Sequence, residues 1–125
     1  MKLVFLAGAM SALFWLTVAF TLVIALLPAP PSALLVAGDK VLHMAAFAVL
    51  SLLAILAFPR RKLIERFAGL AALGGLIEVL QMIPALRRDA EFSDWLADCA
   101  AIALVILLCR AVQYLFAEPP APDDE

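Results

Sequence analysis

The chain has 125 residues, of which 66% are hydrophobic and only 16% charged, with a mean hydropathy of +1.08 and a formal net charge of −2. A soluble domain is nearer half apolar and a quarter charged, and one of this length lacks the interior to hide so much apolar side chain. The balance excludes a water-soluble enzyme domain, an intrinsically disordered chain and a basic nucleic-acid binder. It points to an integral membrane protein, all-α because backbone groups in lipid must be paired within their own segment and no run alternates as a strand would.

Four apolar runs follow one another, at 3–27, 41–58, 67–83 and 95–117, of 25, 18, 17 and 23 residues. A span needs about 20 residues, with a usual range of about 17–25, so the pattern predicts a bundle of four transmembrane helices in one domain, 1–117. The first run follows Lys2 like a signal peptide. It is much longer than an h-region of about 7–15 residues, and Pro28, Pro30 and Pro31 follow it in place of a small-residue cleavage site. It is therefore expected to be a retained helix with a stiff, extended outlet. The second run is followed by Pro59–Arg66, which carries Arg60, Arg61, Lys62 and Arg66. The last nine residues, Ala117 to Glu125, hold four acidic groups and three prolines, so 118–125 is expected to be a short solvated acidic, Pro-rich tail. Cys99 and Cys109 share the fourth run. Ten helical residues separate them by about 15 Å, beyond the roughly 7 Å between Cα atoms that a disulfide tolerates.

Lys and Arg placement sets orientation. With four spans, Lys2, Arg60, Arg61, Lys62, Arg66 and Arg110 fall on one side, six in all, against three on the other, Lys40, Arg87 and Arg88. The six-residue side, with both termini, is expected in the cytoplasm.

The polar residues inside the runs concentrate at the opposite, outer end. The second run opens with Asp39, Lys40 and His43, the third closes with Glu78 and Gln81, and the fourth opens with Asp94 and Asp98. The loop between the last two adds Arg87, Arg88, Asp89 and Glu91. At about 1.5 Å per residue, His43, Glu78 and Asp98 lie roughly 4–8 Å inside the boundary. Asp39 with His43, Asp94 with Asp98, and Glu78 with Gln81 are each spaced to project from one helix face. A charge facing lipid is costly, so these faces are expected to turn toward one another, with Gly69, Gly74 and Gly75 allowing close helix packing. Simpler roles are available singly: Asp39, Ser93 and Asp94 as helix-start residues, Lys40 in the headgroup layer, His43 as a packed histidine, and Glu78 with Gln81 as polar glue between helices.

Taken in order, Asp39-Lys40-x-x-His43-x-x-x-Phe47, then Ile77-Glu78-x-x-Gln81, then Pro84, Arg88, Asp94 and Asp98 resemble the VanZ-like membrane protein family. The resemblance covers about residues 28–110. The family usually carries Asn where this chain has Asp98, followed by small Gly-rich positions where this chain has Cys99-Ala-Ala. The resemblance implies a bacterial cytoplasmic membrane protein tied to the cell envelope, in a family whose namesake is associated with resistance to the glycopeptide antibiotic teicoplanin. It implies no particular reaction.

The favoured function is binding. Lys40 and Arg88 would contact a phosphate or carboxylate of a phospholipid or lipid-linked cell-wall precursor, with Asp39, His43, Glu78, Gln81, Asp94 and Asp98 completing the pocket. An alternative is a membrane-embedded enzyme with His43 as general base and Glu78 or Asp98 as its partner. His43, Glu78, Asp94 and Asp98 are also chemically adequate ligands for a divalent metal. No metal-ligand spacing or nucleophile elbow is present, however, and no metal or other cofactor is expected. A third possibility is a purely structural cluster. Proton or ion conduction finds no polar path through the inner halves of the runs. No face is marked for self-association.

Overall fold

The computed structural model describes residues 2–28 and 38–117. The expected acidic tail, 118–125, and the outlet prolines Pro30 and Pro31 lie outside the described residues. Among the described residues four helices follow in order: α1 Lys2–Leu26, α2 Asp39–Ala57, α3 Leu63–Gln81 and α4 Phe92–Leu115, with one 3-10 turn, Pro84–Leu86, between the last two. No strand occurs among the described residues.

Three of the helices, α1, α2 and α4, are long and apolar enough to cross a membrane, which points to a membrane protein. Their outward faces remain apolar: Leu16, Phe20, Leu104 and Leu107 are all well exposed. Such a surface suits lipid and would be a liability in water. α3 is as long as α2 but carries Glu65, Arg66 and Glu78.

The helix bounds depart from the apolar runs in one direction. α2 begins at Asp39 where 41 was expected, α3 at Leu63 where 67 was expected, and α4 at Phe92 where 95 was expected. A charge ends a hydropathy run but not a helix, because the helix needs only its backbone ladder. α3 starts early because the Lys62 N–H donates to Glu65 Oε2 at 3.2 Å, which satisfies an end group of the new helix. It stops at Gln81 rather than 83 because Pro84 holds Ile83 in an extended conformation, φ −68 and ψ 117. α2 and α4 end at Ala57 and Leu115, one and two residues before the expected limits.

α2 packs against all three other helices, most extensively α4 and α1, while α3 lies chiefly on α4. The core is formed by Phe14 and Val18 of α1, Phe47, Leu50 and Leu53 of α2, Leu70 and Ile77 of α3, and Ile102 and Ile106 of α4. The hydroxyls of Ser51 and Thr17 donate to the carbonyls of Phe47 at 2.7 Å and Leu13 at 2.9 Å, so neither presents an unmet polar group. Gly74 and Gly75 do receive a neighbour. A Cβ on Gly74 would lie 3.3 Å from Asp98 Oδ2 and 3.4 Å from Phe47 Cζ, and one on Gly75 3.4 Å from Trp95 Nε1. Gly69, expected to do the same, faces open space with nothing within 4 Å.

Candidate functional site

The site sits at the end of the bundle where α2 starts, α3 stops and α4 starts. The 3-10 turn after α3 carries the chain back across this end. Its last residue leads into Arg87 at φ 50, a left-handed conformation rare for a side-chain-bearing residue. Arg88 is thereby brought over α2, where its Nη2 donates to Asp39 Oδ1 at 2.7 Å and Oδ2 at 2.9 Å.

Asp39 is the first residue of α2 and makes no capping bond; Gly38, at φ 80, precedes it. The capping role open to Asp39 in the sequence is not the one it fills: it holds Arg88. Asp94 likewise lies inside the first turn of α4 and pairs with Lys40 Nζ at 2.7 Å. Lys40 also donates to Ser93 Oγ at 2.8 Å and approaches Glu91 Oε2 at 3.9 Å, while Ser93 Oγ donates to Glu91 at 3.0 Å. Ser93 is therefore a hydrogen-bonding hub, a role that its position at a helix start does not reveal. These residues form a polar rim. Asp39, Lys40, Glu91 and Asp94, with Arg87, Arg88 and Asp89, line an open cleft of about 420 Å³.

Beneath the rim lies a buried layer. His43 Nδ1 stands 3.6 Å from Asp98 Oδ2 and 3.8 Å from Glu78 Oε1, with all three side chains largely or wholly buried. Three helices thus deliver one ionisable group each to a single point. Glu78 Oε2 accepts the Glu91 N–H at 3.0 Å and so ties the loop before α4 to α3. Both ring nitrogens of His43, both oxygens of Asp98 and Oε1 of Glu78 are buried with no hydrogen-bond partner. Unmatched polar atoms of this kind cost about 1–3 kcal/mol each in a protein interior, so this layer is not tuned for stability alone. Among the described residues, no group of three or more His, Cys, Asp or Glu side chains is arranged to hold a metal ion.

Gln81 makes no hydrogen bond to Glu78. Its Nε2 donates to the carbonyl of Ala25 at 2.9 Å and fastens the end of α1 to α3. Trp95, the first residue of the fourth apolar run, donates from Nε1 to the Ala71 carbonyl at 2.9 Å and walls the layer beside Gly74. A second cavity, of about 140 Å³, opens between α1 and α2, lined by Phe20, Thr21 and Ile24 together with Leu42, His43 and Phe47. Asp39 and Arg88 line this apolar groove and the polar cleft alike. Nothing in α1's sequence marks it as part of a site, since its contribution is apolar. Cys99 and Cys109 are both free thiols.

The fold and site together describe an all-helical membrane protein with a polar cleft, a buried histidine–carboxylate layer and an adjoining apolar groove at one end. No family model, curated protein or solved structure matches the chain.

Proposed function

We propose that the chain is a four-span, VanZ-like protein of the bacterial cytoplasmic membrane, with both termini in the cytoplasm, that binds an envelope phospholipid or lipid-linked cell-wall precursor at its outer face. The observation that carries this is the shared wall of Asp39 and Arg88 between the polar cleft and the apolar groove. A lipid has the same two-part chemistry: an anionic headgroup joined to an apolar chain. Arg87 makes no ion pair among the described residues and is exposed, so its guanidinium is available to a phosphate. Lys40 and Arg88 are held in place by Asp94 and Asp39, so little ordering is needed on binding. α3 completes the fourth span, and its Glu78 is tolerable in lipid because it faces the other helices rather than the acyl chains.

Native mass spectrometry of the gently purified protein, offered phosphatidylglycerol and a polyisoprenyl phosphate, tests this. Wild type retains one anionic lipid, and Arg87→Ala retains it at least about tenfold less, the loss expected if one charge-assisted contact worth about 1.4 kcal/mol is removed. Equal retention by both proteins would sink the proposal.

A second function is favoured by one observation. His43 lines the groove while its Nδ1 faces Asp98 and Glu78, and its Nε2 has no partner. An imidazole backed by carboxylates at the wall of a groove is an arrangement suited to a general base. If the protein turns its lipid over, His43→Ala keeps the lipid bound but leaves its mass unchanged on incubation, whereas wild type yields a hydrolysed species. An unaltered lipid mass on wild type leaves binding alone.

A further inference from the structure

The opposite end of the bundle carries a second groove, remote from His43 and unused by the proposed function. It has a volume of about 560 Å³ and lies between α1 and α3, over α2. Phe14, Trp15 and Val18 form one wall and Gly69 and Leu73 the other, with Arg61, Glu65 and Arg66 at its mouth. From Arg66 to Leu76 it follows α3 for about 15 Å, half of a hydrocarbon core roughly 30 Å thick. The groove therefore reaches to the depth of one leaflet.

We infer that this groove binds an anionic phospholipid of the surrounding bilayer, its acyl chain against Trp15 and Gly69 and its phosphate at Arg61 and Arg66. Three observations converge. The turn at the mouth holds Arg60, Arg61, Lys62 and Arg66 against the single acid Glu65, a balance that attracts anionic headgroups. Arg66 donates through Nη2 to the carbonyls of Phe58 at 2.8 Å and Pro59 at 3.0 Å, which fixes its guanidinium, yet its Nε is buried without a partner. Gly69 leaves open space above α3, where a side chain would fill the groove. A second copy of the chain is disfavoured by the charge at the mouth. Among the described residues the charges at this end are basic apart from Glu65, so two copies would set arginines against arginines.

The test is photo-crosslinking in phosphatidylcholine vesicles carrying a trace of phosphatidylglycerol with a photoactivatable acyl chain. Wild type should be labelled on residues 14–18 and 69–76, with unlabelled phosphatidylglycerol competing at least fivefold better than phosphatidylcholine. Gly69→Leu, which occupies the groove, and Arg61→Gln, which removes an exposed charge paired only at 3.8 Å, should each lower that labelling at least fivefold. Circular dichroism melting confirms that each variant is folded; if Gly69→Leu is not, Arg61→Gln decides. Equal competition by the two lipids, or unchanged labelling in the folded variants, would overturn the inference. So would a wild-type dimer that Gly69→Leu converts to monomer, since the groove would then belong to a second copy. Because the labelled residues are mapped, failure here is separate from failure of the cleft at the other end, whose label would fall on α1 near Phe20 and on α2 near Leu42.

Discussion

His43 stands 3.6 Å from one buried carboxylate and 3.8 Å from another, while two cations of the site, Lys40 and Arg88, are committed to Asp94 and Asp39 in the rim above. Lys40 and Arg88 are thus matched by carboxylates in the rim, whereas in the layer below the ionisable groups are concentrated and only Glu78 Oε2 has a hydrogen-bond partner. The two kinds of ion pair in the molecule should behave differently. Lys40 covers Asp94, whose side chain is only 8% exposed, whereas Arg61 faces Glu65, which is 44% exposed. Removing a cation from a buried carboxylate leaves that charge uncompensated, while an exposed carboxylate turns to water. Lys40→Met should therefore lower the melting temperature clearly more than Arg61→Gln; equal shifts would show that the rim pair is solvated. Gly74 permits a sharper prediction. A Cβ there already meets Asp98, Phe47 and Trp95 at 3.3 to 3.4 Å, so Gly74→Val should cost about 1–3 kcal/mol through overpacking. Gly69→Val, with open space above it, should change stability by less than about 1 kcal/mol. Thermal unfolding in detergent compares them directly.

At the scale of elements, the ends of helices are held by side chains from other helices or turns. Arg66 closes the end of α2 through the Phe58 and Pro59 carbonyls, and Gln81 closes the end of α1 through Ala25. Gln81→Leu keeps the bulk but leaves that carbonyl without its buried donor, a loss of about 1–3 kcal/mol. Hydrogen exchange should rise at the last turn of α1 and not in α4; unchanged exchange there would mean that the bond adds nothing. The helices themselves were legible in the sequence because a long uncharged run admits one structure in lipid. Their starts were less legible, because Glu65 and Arg66 interrupt hydropathy without interrupting the ladder of α3. The partners of Gln81 and of the rim residues were not legible. α1 is apolar on every side, and α3 nearly so, so no stripe declares which face meets which neighbour. That Gln81 would reach α1 rather than Glu78, or that Ser93 would join Lys40 to Glu91, depended on how the helices rotated as they packed.

For the whole molecule, the decisive question is whether α3 crosses the bilayer with the other three. If it does, the Arg60–Lys62 turn and the Arg87–Arg88 turn lie on opposite sides. Arg61→Cys and Arg87→Cys, each in a background with Cys99 and Cys109 changed to Ala, should react with a membrane-impermeant maleimide from opposite faces of sealed vesicles, Arg61→Cys from the cytoplasmic face. Labelling from one face would reduce the bundle to three spans and displace the expected topology. Composition alone pointed this chain toward lipid, and its apolar runs anticipated the four helices of the described residues, because both depend on the summed transfer of side chains and on backbone pairing within each segment. Residue spacing also placed His43, Glu78 and Asp98 at one depth, since rise per residue is the same in every helix. Only the packed structure decided that they meet at one point, that Asp39 and Arg88 join a polar cleft to an apolar groove, and that Gly69 opens a second groove while Gly74 closes on its neighbours. Those outcomes follow from the rotation of each helix about its axis, which side-chain contacts between helices set and which hydropathy cannot register.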